Sequence, residues 1–256
     1  MTSSREASFT RMLSNLQKAM DRVAEHPQPV RKKITTTGER RYLQLKVTLK
    51  HISPPIWRRF VVPRDFTLAI LHECLQIIMG WDDDHLYEFI VGGRRGGKHY
   101  SVPMDDFMGG FGDFDDENAE DYDLSFLTRK GMKFTYIYDF GDSWDHELVA
   151  ENVNYEHSAT DPPVVVLAGQ RNCPPEDCGG TWGYADIIEA LAANDEEETD
   201  SEQEELLHWV GEYDPDQFDL DEINAALANM FGMPKPSKKG TKKGGKKSAK
   251  KTSGKK

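Results

Sequence analysis

No stretch of this 256-residue chain stays apolar for the roughly 18 residues that a membrane-spanning helix requires, which argues against a membrane partner. The N-terminus, MTSSREASFTRMLSNLQ, has charges where an export signal needs an unbroken apolar run, so no signal peptide is expected. Cysteine is scarce. Cys74, Cys173 and Cys178 are too few, and odd in number, for a disulfide framework. Together these absences predict the cytoplasm. Acidic residues are missing from one place above all: the last 22 residues, from Lys235, hold 11 lysines and no carboxylate. Of the 32 basic residues in the chain, 21 are then left to face 44 acidic ones in the rest, a strongly anionic body joined to a cationic end.

Hydrophobic residues make up 38% of the chain and aromatics 10%, enough for a sizeable core. Residues 5–25 read as a helix, with Phe9, Met12, Leu13, Leu16, Met20 and Val23 at three- and four-residue spacings. His26-Pro27-Gln28-Pro29 ends it, and a basic linker follows, so residues 1–38 form an arm. The body, 40–232, opens with strict alternation over 42–49, placing Leu43, Leu45, Val47 and Leu49 on one face of a strand. A second strand is expected over 56–62. Thr67 then caps a helix over 68–79 that Gly80 closes. Strands over 85–91 and 98–102 flank a glycine-rich hairpin loop, and 105–123 reads as a solvated acidic loop. Residues 134–140 and 144–153 form another hairpin, and a proline-containing loop follows it. Helices are expected near 183–193, from the acidic run Asp195–Glu205, and after Asp219. Early strands, late helices and no βαβ repeat predict an α+β fold: antiparallel hairpins forming a sheet packed with helices.

Five ordered motifs carry a resemblance: Pro54-Pro55-Ile56-Trp57-Arg58; Met79-Gly80-Trp81 followed by His85-Leu86-Tyr87-Glu88-Phe89; Tyr138-Asp139-Phe140-Gly141-Asp142-Ser143-Trp144-Asp145-His146; the run Cys173 to Gly180 with Gly183-Tyr184; and Tyr213-Asp214-Pro215 with Phe218-Asp219. Over roughly 40–232 the chain resembles the plasmid pRiA4b ORF-3-like family, which also includes passenger proteins of transposable elements. The resemblance implies an α+β fold and a setting on plasmids and insertion elements. It implies no particular reaction. A resolvase-like label attached to some members finds no support, because the serines of the N-terminal part lie in the arm and not in an arginine-rich catalytic domain.

The strongest local chemistry is in the 138–146 hairpin. Its turn is expected to bring Asp139 and Asp142 close to His146, and two carboxylates with an imidazole can hold a divalent metal or act as an oriented base. The same residues also read as a plain hairpin in which Asp142 caps the turn and Trp144 fills the core. Cys173 and Cys178, with Glu176 and Asp177 between them, are weak zinc candidates, since His85, His146 or Cys74 would have to complete the set. Those two acids also precede a helix N-terminus and could present carboxylates to a ligand. The candidate ligand-binding residues are therefore His85, Asp139, Asp142, Trp144, His146, Glu176 and Asp177, and the only cofactor left open is a divalent metal. Arg58, Arg59, Arg94, Arg95 and Lys98 read as local charge balance in an acidic body.

The tail, 235–256, has the clearest signal. Lysine pairs separated by Gly, Ser, Thr and Ala cannot bury a core, so the composition predicts disorder. Lys238, Lys239, Lys242, Lys243, Lys246, Lys247, Lys250 and Lys251 suit salt-sensitive, sequence-independent contact with nucleic acid. The leading expectation is a non-enzymatic accessory domain of a mobile element, tethered to nucleic acid and free to bind a protein or small ligand. The alternative is a metal-dependent enzyme at the 138–146 hairpin.

Overall fold

The computed structural model describes residues 40–93, 96–102, 117–158, 160–195 and 199–232. The expected arm helix, the lysine tail, Arg94, Arg95 and most of the acidic loop lie outside them. Strand β1 (Tyr42–Leu49) is an interior strand of the sheet, with Leu43, Leu45, Val47 and Leu49 all buried as their alternation requires. β2 (Trp57–Pro63) pairs along one side of it. Helix α1 (Leu68–Met79) follows, with Thr67 Oγ1 accepting the Ile70 N–H at 3.2 Å and Gly80 ending it at φ 83°. Leu68, Leu71, Cys74, Leu75 and Ile78 make its buried stripe.

The remaining strands are β3 (Tyr87–Val91), β4 (Lys98–Ser101), β5 (Glu117–Asn118), β6 (Lys133–Tyr138), β7 (Trp144–Tyr155) and β8 (Val165–Gln170). They complete one eight-stranded sheet in the order β5-β4-β3-β6-β7-β1-β2-β8, antiparallel except for the β4–β5 pair. Helices α2 (Gly180–Asp195), α3 (Ser201–Val210) and α4 (Leu220–Met230) come last. Asp200 caps α3 in a reciprocal capping box with Gln203, and Asp219 caps α4. α4 packs against α1 and β8. The architecture is α+β, and no helix among the described residues is long and apolar enough to cross a membrane.

Three departures from the sequence reading have physical causes. β8 lies where the sequence pattern predicts a loop: Pro162 and Pro163 mask its start, yet it seals the β2 edge. At Val166 its free ladder groups are met by Asn224 of α4, which accepts from the Val166 N–H at 2.8 Å and donates to the Val166 carbonyl at 3.0 Å. The acidic loop ends in structure, because the Ala119 N–H donates to the Ser101 carbonyl and the Ala119 side chain is buried. The first strand of the second hairpin, expected to run to 140, ends short of it. β6 stops at Tyr138, Asp139 turns left-handed at φ 54°, and Phe140 is left 54% exposed.

The seam between α1 and β6 is polar and largely buried. The Tyr136 hydroxyl accepts from Gln76 Nε2 at 2.8 Å and lies 2.8 Å from His72 Nδ1, while His72 Nε2 is 2.6 Å from Asp83 Oδ1. Replacing Tyr136 by phenylalanine keeps the ring but leaves Gln76 and His72 without their buried partner. Urea denaturation is expected to show a loss of about 1–3 kcal/mol.

Three loops converge on a candidate site

Three loops meet at one end of the β6–β7 hairpin. The first leaves α1 at Gly80. There Trp81 stacks on Tyr138 at 5.1 Å and on Trp144 at 5.9 Å, and donates through Nε1 to the Pro174 carbonyl at 3.0 Å. The indole thus ties this loop both to the hairpin beneath it and to the loop before α2. The second is the hairpin turn. Asp139 accepts the Gly141 N–H through Oδ1 at 2.8 Å, its own N–H donates to the Leu86 carbonyl at 2.9 Å, and Asp139 and Ser143 both hold left-handed backbone. The third runs from Cys173 to Gly179, where Glu176 Oε1 accepts from the Tyr138 hydroxyl at 2.6 Å and Asp142 Oδ2 accepts from the Gly179 N–H at 3.1 Å.

Glycine is obligatory at the entry to α2. Gly180 sits at φ 69°, and a Cβ there would lie 2.5 Å from the Asp142 carbonyl oxygen; one at Gly183 would lie 1.7 Å from that of Cys178. The first approach sets the third loop against the turn, and the second packs α2 against that loop. His85, Asp139 and Asp177 are brought together as a result. His85 Nε2 lies 3.1 Å from Asp177 Oδ1 and 3.8 Å from Asp139 Oδ2, and the three ligand atoms fall within 4.8 Å of one another. Asp139 is buried and Asp177 exposed, so the cluster opens on one side.

Of the residues singled out from sequence, His85, Asp139 and Asp177 come together, and Glu176 stands beside them on Tyr138. Burial raises the Glu176 carboxyl above its ordinary range, against the pull of the Tyr138 hydrogen bond. Asp142 serves as a backbone latch and Trp144 lies wholly in the core below. His146 stays away from Asp139 and Asp142, contrary to the expectation from the turn. The hairpin ladder pairs Tyr138 with Trp144 and Tyr136 with His146, so the imidazole sits two residues down the ladder on the core face. Its Nδ1 faces the Trp144 carbonyl at 2.9 Å, and burial pushes its pKa down to about 4. Neither cysteine joins the cluster. Cys173 Sγ lies 3.4 Å from Arg58 Nη2 and 3.8 Å from Met79 Sδ, Cys178 Sγ faces the Gly180 carbonyl, and burial pushes the thiols up to about 11 and about 12.

A model of the family described as plasmid pRiA4b ORF-3-like protein matches residues 41–222. The chain belongs to that family. Over 191 residues it is 37% identical to the uncharacterized protein y4hQ of Sinorhizobium fredii (strain NBRC 101917 / NGR234), covering 73% of this chain and 91% of that protein. The crystal structure of the protein of unknown function MM3350 from Methanosarcina mazei Go1 is similar at a TM-score of 0.60 and 30% identity, over 72% of this chain and 98% of that one.

Within this pRiA4b ORF-3-like chain, three of the five motifs build the loop cluster and the other two brace it. Arg58 is 2% exposed and lies over the Phe218 ring at 4.6 Å, and its Nη1 donates to the Trp57 and Gln170 carbonyls. The Tyr213 hydroxyl donates to the Cys173 carbonyl at 3.0 Å, and Arg171 joins the Pro54 carbonyl to Asp216. Sequence reasoning reads Arg58 as charge balance and does not single out Arg171. The signal that could have found this brace is the pairing of an arginine motif with a distant aromatic one. Arg59 pairs with Glu151 and Lys98 with Glu117, which is local charge balance.

Proposed function

We propose that the protein is a binding module, accessory to a plasmid or other mobile element, whose body is tethered to nucleic acid by its lysine tail. The observation that carries this reading is the division of charge: 11 lysines and no acid from Lys235 onward, against 44 carboxylates before it. A cationic end of this kind exchanges condensed counterions for lysine–phosphate contacts, so binding falls steeply with salt. The plasmid setting is supported by the family's own description.

The experiment compares the full chain with one ending before Lys235, on duplex DNA and on single-stranded RNA. At low ionic strength the full chain is expected to bind about tenfold tighter or more, with the gap closing as salt rises. Equal affinities would end this reading. Removing charge from either acidic run, 113–123 or 195–205, is expected to tighten binding if the tail folds back on it. The second reading, a metal-dependent enzyme at the 138–146 hairpin, needs Asp139, Asp142 and His146 at one point, with Glu176 as an optional fourth group and His85 nearby. With His146 on the core face and Asp142 tied to Gly179, the body is better read as a binding module.

A further inference from the structure

We propose that His85, Asp139 and Asp177 form a divalent-cation site suited to manganese or zinc. This deepens the binding-module reading of the body and does not depend on the tail. His85 Nε2 is shielded from solvent and has no hydrogen-bond partner among the described residues, although two carboxylate oxygens stand 3.1 and 3.8 Å away. Neither oxygen stands where an N–H on that nitrogen would donate. A lone pair on Nε2 meets both oxygens through a shared cation instead.

The two distances from His85 Nε2 agree with this. Ligand atoms about 2.1 Å from a small divalent ion lie roughly 3–4 Å from one another. One imidazole nitrogen with two carboxylate oxygens suits zinc or manganese better than the all-oxygen shells of calcium and magnesium. Asp139, 7% exposed, is already held by the Gly141 N–H through Oδ1, which leaves Oδ2 directed toward His85. Asp177 closes the set from the third loop, and its exposure leaves the ion's remaining positions open to water or to a ligand.

The test uses the full chain, stripped with EDTA and titrated with Mn²⁺, the free ion being read by electron paramagnetic resonance, with Zn²⁺ as competitor. Wild type is expected to take up one ion per chain in a saturable phase. Asp139→Asn, which keeps the acceptor for Gly141, and His85→Gln are each expected to weaken that phase at least about tenfold. Asp221→Asn, on an exposed turn of α4, is expected to leave it unchanged. Weak uptake by the acidic runs is common to all four proteins and cancels in the comparison. Circular dichroism checks folding, and either site variant that folds suffices. No saturable phase in wild type, or an unweakened phase in a site variant that folds, overturns the proposal. Tail-dependent DNA binding would survive that result, and loss of DNA binding would leave the ion uptake intact.

Discussion

Replacing Trp144 by alanine is expected to lower the unfolding free energy by about 3–5 kcal/mol, a large part of the roughly 5–15 kcal/mol typical of a domain. Trp144 is wholly buried, pairs across the hairpin with Tyr138 and stacks on Trp81. Its loss leaves a cavity under the indole that ties the first loop to the third, so the site loosens with the core. Trp182, 84% exposed on α2, is the control: its alanine variant is expected to stay within about 0.5 kcal/mol of wild type. Urea denaturation measures both. Equal effects from the two substitutions would refute this account of the core.

Acid is expected to destabilise the protein through His146. Its folded-state pKa, about 4, lies below the ordinary 6.5, because burial disfavours the charged ring. The unfolded chain therefore binds the extra proton first as pH falls. The stability this contributes is fully present above about pH 6.5 and is lost as pH falls toward 4, by roughly 3 kcal/mol. Glu151, held down by its hydrogen bond from Arg59, adds a further loss at lower pH. Glu176 acts in the opposite sense, since its raised pKa favours the protonated carboxyl. His146→Gln removes the titration, so unfolding free energy plotted against pH is expected to flatten between 6.5 and 4. An unchanged slope would mean that the imidazole is not held neutral.

Local patterns are legible where one chemical rule acts within a few residues. The alternation of β1, the Thr67 and Asp219 caps and the stop at Gly80 need only their neighbours. β8 is not legible in this way, because its partner strand and its Asn224 clasp are remote in sequence. His146 is misplaced by sequence reasoning for a related cause. Closeness in sequence to a turn aspartate says little once strand register sends alternate side chains to opposite faces.

By itself the amino-acid order determined an α+β body and the division of charge between body and tail, which follow from composition, periodicity and spacing, and it carried the five motifs of the family resemblance. Only the tertiary structure decided which imidazole faces which carboxylates. That depends on hairpin register, on a left-handed Asp139 and on glycines that let the loop before α2 close against the turn, and these couple residues far apart in the chain.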